Sequence, residues 1–212
     1  MIAILGGTFD PIHYGHLRTA LDVMEALGLE QIRFLPLNQA VHREQPLATV
    51  EQRLAMVRLA IADQAGFALD ETECRRQGPS YMVDTLRSLR NELGGIPLAL
   101  LLGMDAFKGF LGWREPQAIL NLCHLVVMGR PGYPLPTDGE LGALVAQYAT
   151  DNAEELQRHS GGRIYFQPVT QIDISASDIR ARTAGNRSPR YLLPDPVIAM
   201  IRREELYGLN RL

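Results

Sequence analysis

The sequence predicts an α/β fold: a doubly wound, mostly parallel sheet with helices on both faces. Three observations predict it. Short, wholly apolar runs recur along the chain, as strands covered on both faces require. Segments with apolar residues at helical spacing separate these runs in a βαβαβ rhythm. A glycine pair follows the first run directly, where such sheets place their ligand loops.

Taken in order, Ile2–Leu5 is a strand buried on both faces. Residues 15–27 follow as a helix, with Leu17, Ala20, Leu21, Met24 and Leu27 on one side. Ile32–Leu37 is a second strand, and a polar loop with Asn38, His42 and Arg43 comes after it. Thr49 caps a helix whose interior holds Leu54, Met56, Val57, Leu59, Ala60 and Ile61. Phe67–Leu69 is a weaker third strand. Ser80 is expected to cap a helix over 81–93, closed by Gly94 and Gly95. Pro97–Leu102 and Leu122–Met128 are the fourth and fifth strands. A turn-rich stretch, Gly129–Gly139, leads into a helix over 140–158, and Arg163–Phe166 is a sixth strand. Two short helices follow, one starting near Ser175 and one after Asp195, where Pro196 suits the first helical position. The rhythm is Rossmann-like. With no internal repeat or linker, residues 1–212 are expected to form a single domain, its helical part from about 174 packed on the rest.

The bulk numbers fit. The chain has 212 residues, 46% hydrophobic and 21% charged, enough for a core without disulfides or metal staples. Its net charge of −3 argues against a broad nucleic-acid or anionic-membrane surface but leaves room for a local anion site. Cys74 and Cys123 match no metal spacing and are expected as buried thiols in a reducing compartment. No apolar run approaches the ~18 residues of a membrane span. Met1–Leu5 shows neither a basic region nor a cleavage site, so the expectation is a cytoplasmic protein without a signal peptide.

The loop after the first strand carries the chemistry. It reads Gly6-Gly7-Thr8-Phe9-Asp10-Pro11-Ile12-His13-Tyr14-Gly15-His16. This is neither the Gly-x-Gly-x-x-Gly dinucleotide pattern nor the Walker loop. It still points to phosphate. The glycine pair lets backbone N–H groups approach a ligand, and the N-terminus of the next helix favours an anion. His13 and His16, three apart, share a helix face, and Gly15 between them leaves room for a phosphate.

Gly7-Thr8-Phe9-Asp10-Pro11 with His13-x-Gly15-His16 resembles the signature of the nucleotidyltransferase superfamily with a His-x-Gly-His motif. A second signature, Ile-Ser-x-Ser/Thr-x-Ile-Arg, is matched by Ile174-Ser175-Ala176-Ser177-Asp178-Ile179-Arg180. The landmarks between them resemble the nicotinate-nucleotide adenylyltransferase family over almost the whole chain. Pro36-Leu37-Asn38-Gln39-Ala40-Val41-His42-Arg43 is similar to the family's Pro-x-Asn-x-x-x-His-Lys, with Arg for Lys. Pro79-Ser80-Tyr81-Met82-Val83-Asp84-Thr85-Leu86 is similar to Pro-Ser-Tyr-Thr-x-Asp-Thr-Leu, with Met82 in place of a Thr hydroxyl. Gly103-Met104-Asp105 matches Gly-x-Asp, and Trp113, the single Trp, matches an aromatic that stacks on a pyridine ring.

The resemblance implies transfer of AMP from ATP to nicotinate mononucleotide, releasing pyrophosphate. It implies that His13, His16 and Arg180 act on the phosphates. Gly6, Gly7, Thr8, Phe9, Gly15, Gly103, Asp105, Ser175 and Ser177 would line the ATP site. Asn38, His42, Arg43, Tyr81, Met82 and Trp113 would line the pyridine-nucleotide site. Mg²⁺ would ride on the ATP phosphates with few protein ligands. His13 and His16 are expected to be protonated when phosphate is bound, and Arg180 is expected in the first turn of its helix. Nicotinamide mononucleotide or phosphopantetheine as acceptor, and a non-catalytic nucleotide sensor, remain alternatives. The oligomeric state stays open.

Overall fold

A computed structural model describes residues 1–38, 45–76, 78, 80–129 and 135–208. Its six strands form one parallel sheet: β1 (Ile2–Gly7), β2 (Gln31–Pro36), β3 (Phe67–Leu69), β4 (Leu98–Gly103), β5 (His124–Gly129) and β6 (Ile164–Pro168). Their order is β3-β2-β1-β4-β5-β6. The chain winds outward from β1 in one direction, then returns to β4 and winds outward in the other. The order therefore reverses between β1 and β4, and the crevice at their carboxyl ends is the place for a ligand.

The helices are α1 (Tyr14–Leu27), α2 (Val50–Ile61), α3 (Thr72–Arg75), α4 (Met82–Leu93), α5 (Met104–Lys108), α6 (Pro116–Leu122), α7 (Gly139–Tyr148), α8 (Glu155–Arg158), α9 (Ala176–Ala184) and α10 (Asp195–Arg203). Alternation along β1 divides the core. Ala3 and Leu5 face a cluster with Val23 of α1, Met56 of α2, Ile179 of α9 and Val197 of α10. Ile4 faces the opposite cluster, with Leu86 of α4, Ile119 of α6 and Val145 of α7. Both faces are covered, as the apolar strands require.

Four details differ from the sequence reading. The helix expected over 140–158 is two pieces. Ala149 turns extended and bridges to Ile164, and the Thr150 N–H donates to the Ile164 carbonyl at 3.0 Å. Thr150 Oγ1 and Asn152 Oδ1 then accept from the backbone N–H groups of Asn152 and Glu154, local bonds that compete with a helix. Residue 81, not Ser80, is the cap position of α4, and Ser80 Oγ accepts instead from the Asn38 N–H at 3.2 Å. Leu122 ends α6 rather than opening β5; this helix, which Pro116 opens, and the short α3 and α5 were not foreseen. Cys123 is buried, with its thiol pushed up to about 12 by desolvation, but Cys74 is only half-buried.

Candidate active site

β1 delivers Gly6 and Gly7 to the switch point, and the chain then bends sharply. Phe9 takes a left-handed φ of 50° with its ring buried. The Phe9 ring meets the His16 ring edge-on at 5.1 Å, so the buried aromatic acts as a floor for the imidazole. The Asp10–Pro11 peptide is cis. His13 is the cap residue of α1, extended at φ −150°. Its ring stacks on that of His16 at 3.7 Å. A Cβ at position 15 would come within 2.9 Å of the His13 ring, so glycine is what lets the first turn of α1 pass so close.

The two imidazoles are held differently. His16 Nδ1 accepts from the His13 backbone N–H at 3.3 Å. That bond places the proton of a neutral His16 on Nε2, which becomes the donor. His13 is only 6% exposed, and its Nδ1 has no hydrogen-bond partner. Burial lowers its pKa from 6.5 to about 4, so His13 is neutral at pH 7 without a ligand. Without phosphate, Nδ1 of His16 is occupied as an acceptor, so a neutral His16 donates through Nε2 alone.

α9 brings the second signature to the same loop. Ser175 is the helix cap, its Oγ accepting from the Asp178 N–H at 3.1 Å. Ser177 is exposed on the first turn. Arg180 is the fifth residue of α9, one turn further along than expected. Its Nη1 donates to the Asp10 carbonyl at 2.8 Å and stands 3.9 Å from the Asp10 carboxylate. The Ile174 carbonyl lies 3.5 Å from where a Cβ of residue 15 would be. The two signatures, at opposite ends of the chain, therefore form one surface.

Other predicted residues ring this surface. Thr8 offers its carbonyl to Arg53 Nη1 at 2.9 Å. Gly103 caps α5 and Asp105 lies exposed in its first turn, both at the carboxyl end of β4. Met82 Cε would sit 3.1 Å from a Cβ on Gly6, so the start of α4 meets the end of β1. Asn38 Nδ2 donates to the Arg76 carbonyl at 2.8 Å. Tyr81 carries the Arg114 guanidinium over its ring at 4.6 Å. Trp113 is half-buried and packs on Phe110 at 5.8 Å, beside the same cluster as Tyr81 and Met82. His42 and Arg43 lie outside the described residues.

Three residues here were not singled out from sequence. Arg53 is 1% exposed and reaches the Thr8 and Asn38 carbonyls, at 2.9 and 3.5 Å. Its signal was available: it stands three and four residues before Met56 and Val57, on the apolar face of α2. Asp10 is 3% exposed, and its carboxylate accepts from the Leu47 and Ala48 N–H groups at 2.9 and 3.2 Å. Tyr207 adds a third donor at 2.6 Å. Nothing in the sequence pattern marked Tyr207.

The sheet with its switch-point loop defines an α/β protein of the nucleotidyltransferase class, with two imidazoles and a guanidinium meeting at the loop after β1. The cytidylyltransferase-like family model matches residues 4–182. A probable nicotinate-nucleotide adenylyltransferase of Methylococcus capsulatus is 47% identical, over 98% of this chain and 100% of that one. One of the same name from Marinobacter nauticus is 48% identical, over 98% and 97%. A solved Plasmodium falciparum nicotinic acid mononucleotide adenylyltransferase, complexed with NaAD, superposes with a TM-score of 0.74 over 99% of this chain and 98% of that one; at 17% identity the likeness speaks for the fold. The chain belongs to the cytidylyltransferase-like family and, within it, to the nicotinate-nucleotide adenylyltransferases.

Proposed function

We propose that this protein transfers AMP from ATP to nicotinate mononucleotide, giving nicotinate adenine dinucleotide and pyrophosphate. The observation that carries the reading is the pairing of the two stacked histidines at the switch point with Arg180, which reaches the same loop from α9.

The acceptor phosphate oxygen attacks the α-phosphorus in line, and the bond to the pyrophosphate oxygen breaks. The attacking group is already an anion, so the step needs positioning and charge neutralisation more than a base. His16 donates from Nε2 to the α-phosphate, where charge builds in the transition state. His13 stacks behind it and fixes its plane. Arg180, Ser175 and Ser177 hold the β- and γ-phosphates, with the N-terminus of α9 adding its dipole. The backbone of Gly6–Phe9, with Gly15, shapes the phosphate cradle, and Gly103 and Asp105 meet the nucleoside. Asn38, Tyr81, Met82, Trp113, His42 and Arg43 take the pyridine nucleotide. The donors here are imidazoles, guanidinium and backbone N–H groups, which suit a polyanion rather than a bare metal ion. Carried on the phosphates with few protein ligands, Mg²⁺ would offset their charge. The chain works as one domain in the cytoplasm; among the described residues no helix is long and apolar enough to cross a membrane.

The test is pyrophosphate release from ATP and Mg²⁺ with nicotinate mononucleotide, nicotinamide mononucleotide or phosphopantetheine. Fastest release with the nicotinate acceptor is expected. Faster release with the amide would reassign the acceptor and implicate Met82, whose thioether occupies the place of a hydroxyl. Binding of ATP without release from any acceptor would mean a sensor.

A further inference from the structure

We propose that Tyr207 is a positioning residue for the reaction: its hydroxyl, by occupying the Asp10 carboxylate, keeps the Arg180 guanidinium available to the ATP phosphates. The proposal rests on the reading of Arg180 given above.

A buried carboxylate beside a guanidinium forms a close ion pair unless its lone pairs are engaged elsewhere. Asp10 is 3% exposed and Arg180 is its neighbour, yet the closest approach of guanidinium to carboxylate is 3.9 Å. Arg180 instead bonds the neutral Asp10 carbonyl at 2.8 Å. The carboxylate is occupied: the Leu47 N–H binds Oδ2 at 2.9 Å, and the Ala48 N–H and Tyr207 hydroxyl bind Oδ1 at 3.2 and 2.6 Å. The hydroxyl is the shortest of the three contacts and the only one from a side chain.

The backbone of Tyr207 supports a role beyond packing. Its φ of 58° is left-handed, a strained choice for a bulky residue. The strain aims the ring inward from a terminal turn, Leu206–Gly208, toward the phosphate loop. The same turn leans on the helix that carries Arg180: a Cβ on Gly208 would sit 3.6 Å from Ala184 Cα of α9. The turn thus touches Asp10 and the helix that carries Arg180. Without the hydroxyl, Oδ1 keeps one donor, and the charge shared by both carboxylate oxygens, less compensated, draws harder on Arg180, which stands 3.9 Å from Oδ2. An incoming phosphate would then have to pull it away.

The variant Tyr207→Phe keeps the ring and removes the donor. It is compared with wild type, Arg180→Gln and the double variant, at a temperature where circular dichroism shows all four folded. Affinity for α,β-methylene ATP with Mg²⁺ is expected to fall roughly five- to tenfold in Tyr207→Phe, with KM for the pyridine nucleotide unchanged. In the Arg180→Gln background, the same change is expected to have no further effect, because the group it acts through is gone. Nitrogen-15 resonances of the Arg180 guanidinium, read without nucleotide, should shift in Tyr207→Phe as the ion pair closes. Unshifted resonances, or an equal loss of affinity in both backgrounds, would overturn the proposal. Shifted resonances with unchanged affinity would uphold the Tyr207–Asp10–Arg180 link and count instead against Arg180 as an ATP contact.

Discussion

His13 and His124 are both buried, at 6% and 0% exposure, and burial lowers the pKa of each. They sit at opposite ends of the sheet. His124 opens β5 and is fully partnered: Nδ1 accepts from the Arg163 N–H at 3.2 Å, and Nε2 donates to the His159 carbonyl at 2.9 Å. His13, past the carboxyl end of β1, leaves Nδ1 unpartnered. The amino end of the sheet has spent its polar groups on structure, and the carboxyl end has kept some back. The remaining orphans follow the same division. Among the described residues the other buried side-chain atoms without partners are Arg53 Nε, beneath the phosphate loop, and Glu73 Oε2, on α3 after the carboxyl end of β3. A buried orphan costs stability in the empty protein and is retained where a ligand or motion can use it.

The sharpest way to test this division is at the loop itself. His16→Ala should lower kcat by about a hundredfold, the value of one oxyanion-type donor, about 3 kcal/mol. Circular dichroism and the thermal midpoint should stay close to wild type, since His16 is only half-buried. Turnover near normal would remove His16 from the chemistry.

The next effect concerns protons. His13 holds its proton less well folded than unfolded, so the unfolded chain binds more protons between about pH 6.5 and 4. The His13 contribution is therefore complete above pH 6.5 and is lost as pH falls through that window. Its size is at most about 3–4 kcal/mol, from the shift of His13 at ~1.4 kcal/mol per pKa unit. Urea midpoints of the nucleotide-free protein should fall over this range, and His13→Ala should flatten the slope. Saturating ATP should flatten it too, since bound phosphate favours the protonated ring. A slope indifferent to both changes would mean that the orphaned ring carries no such penalty.

Sequence legibility follows the same boundary between satisfied scaffold and open site. The strands were readable because burial on both faces leaves them almost no polar residues; Pro97–Leu102 falls within a residue of β4 at each end, and Ile2–Leu5 starts with β1 and stops two residues short of its end. The loop after β1 stood out because its residue types are unusual together. What was hidden depends on partners distant in sequence. The break after α7 needs the Ile164 carbonyl to receive the Thr150 N–H, and no local pattern supplies that. Ser80 looked like a helix cap until Asn38, 42 residues away, proved to be its partner. Arg53 carried a signal in its apolar-face position. Asp10 lay inside the quoted motif, but its three donors come from two other segments.

The smallest effect is expected at the satisfied histidine, and it separates the two ends most cleanly. His124→Ala removes the partner of a backbone N–H and of a backbone carbonyl at once. Each group left unpaired when buried costs about 1–3 kcal/mol, but water entering the new space recovers part of it, so a loss of about 2 kcal/mol in urea unfolding is expected. His124→Asn should recover some of that, because its amide oxygen can take the Arg163 N–H as Nδ1 did. Neither change should alter kcat per folded molecule or affinity for ATP, because the ring faces the Gly162–Arg163 turn at the amino end of the sheet and the chemistry lies at the carboxyl end. A fall in kcat beyond the loss of folded protein would show that the two ends are coupled, and the contrast between a structural and a reactive histidine would then have to be given up.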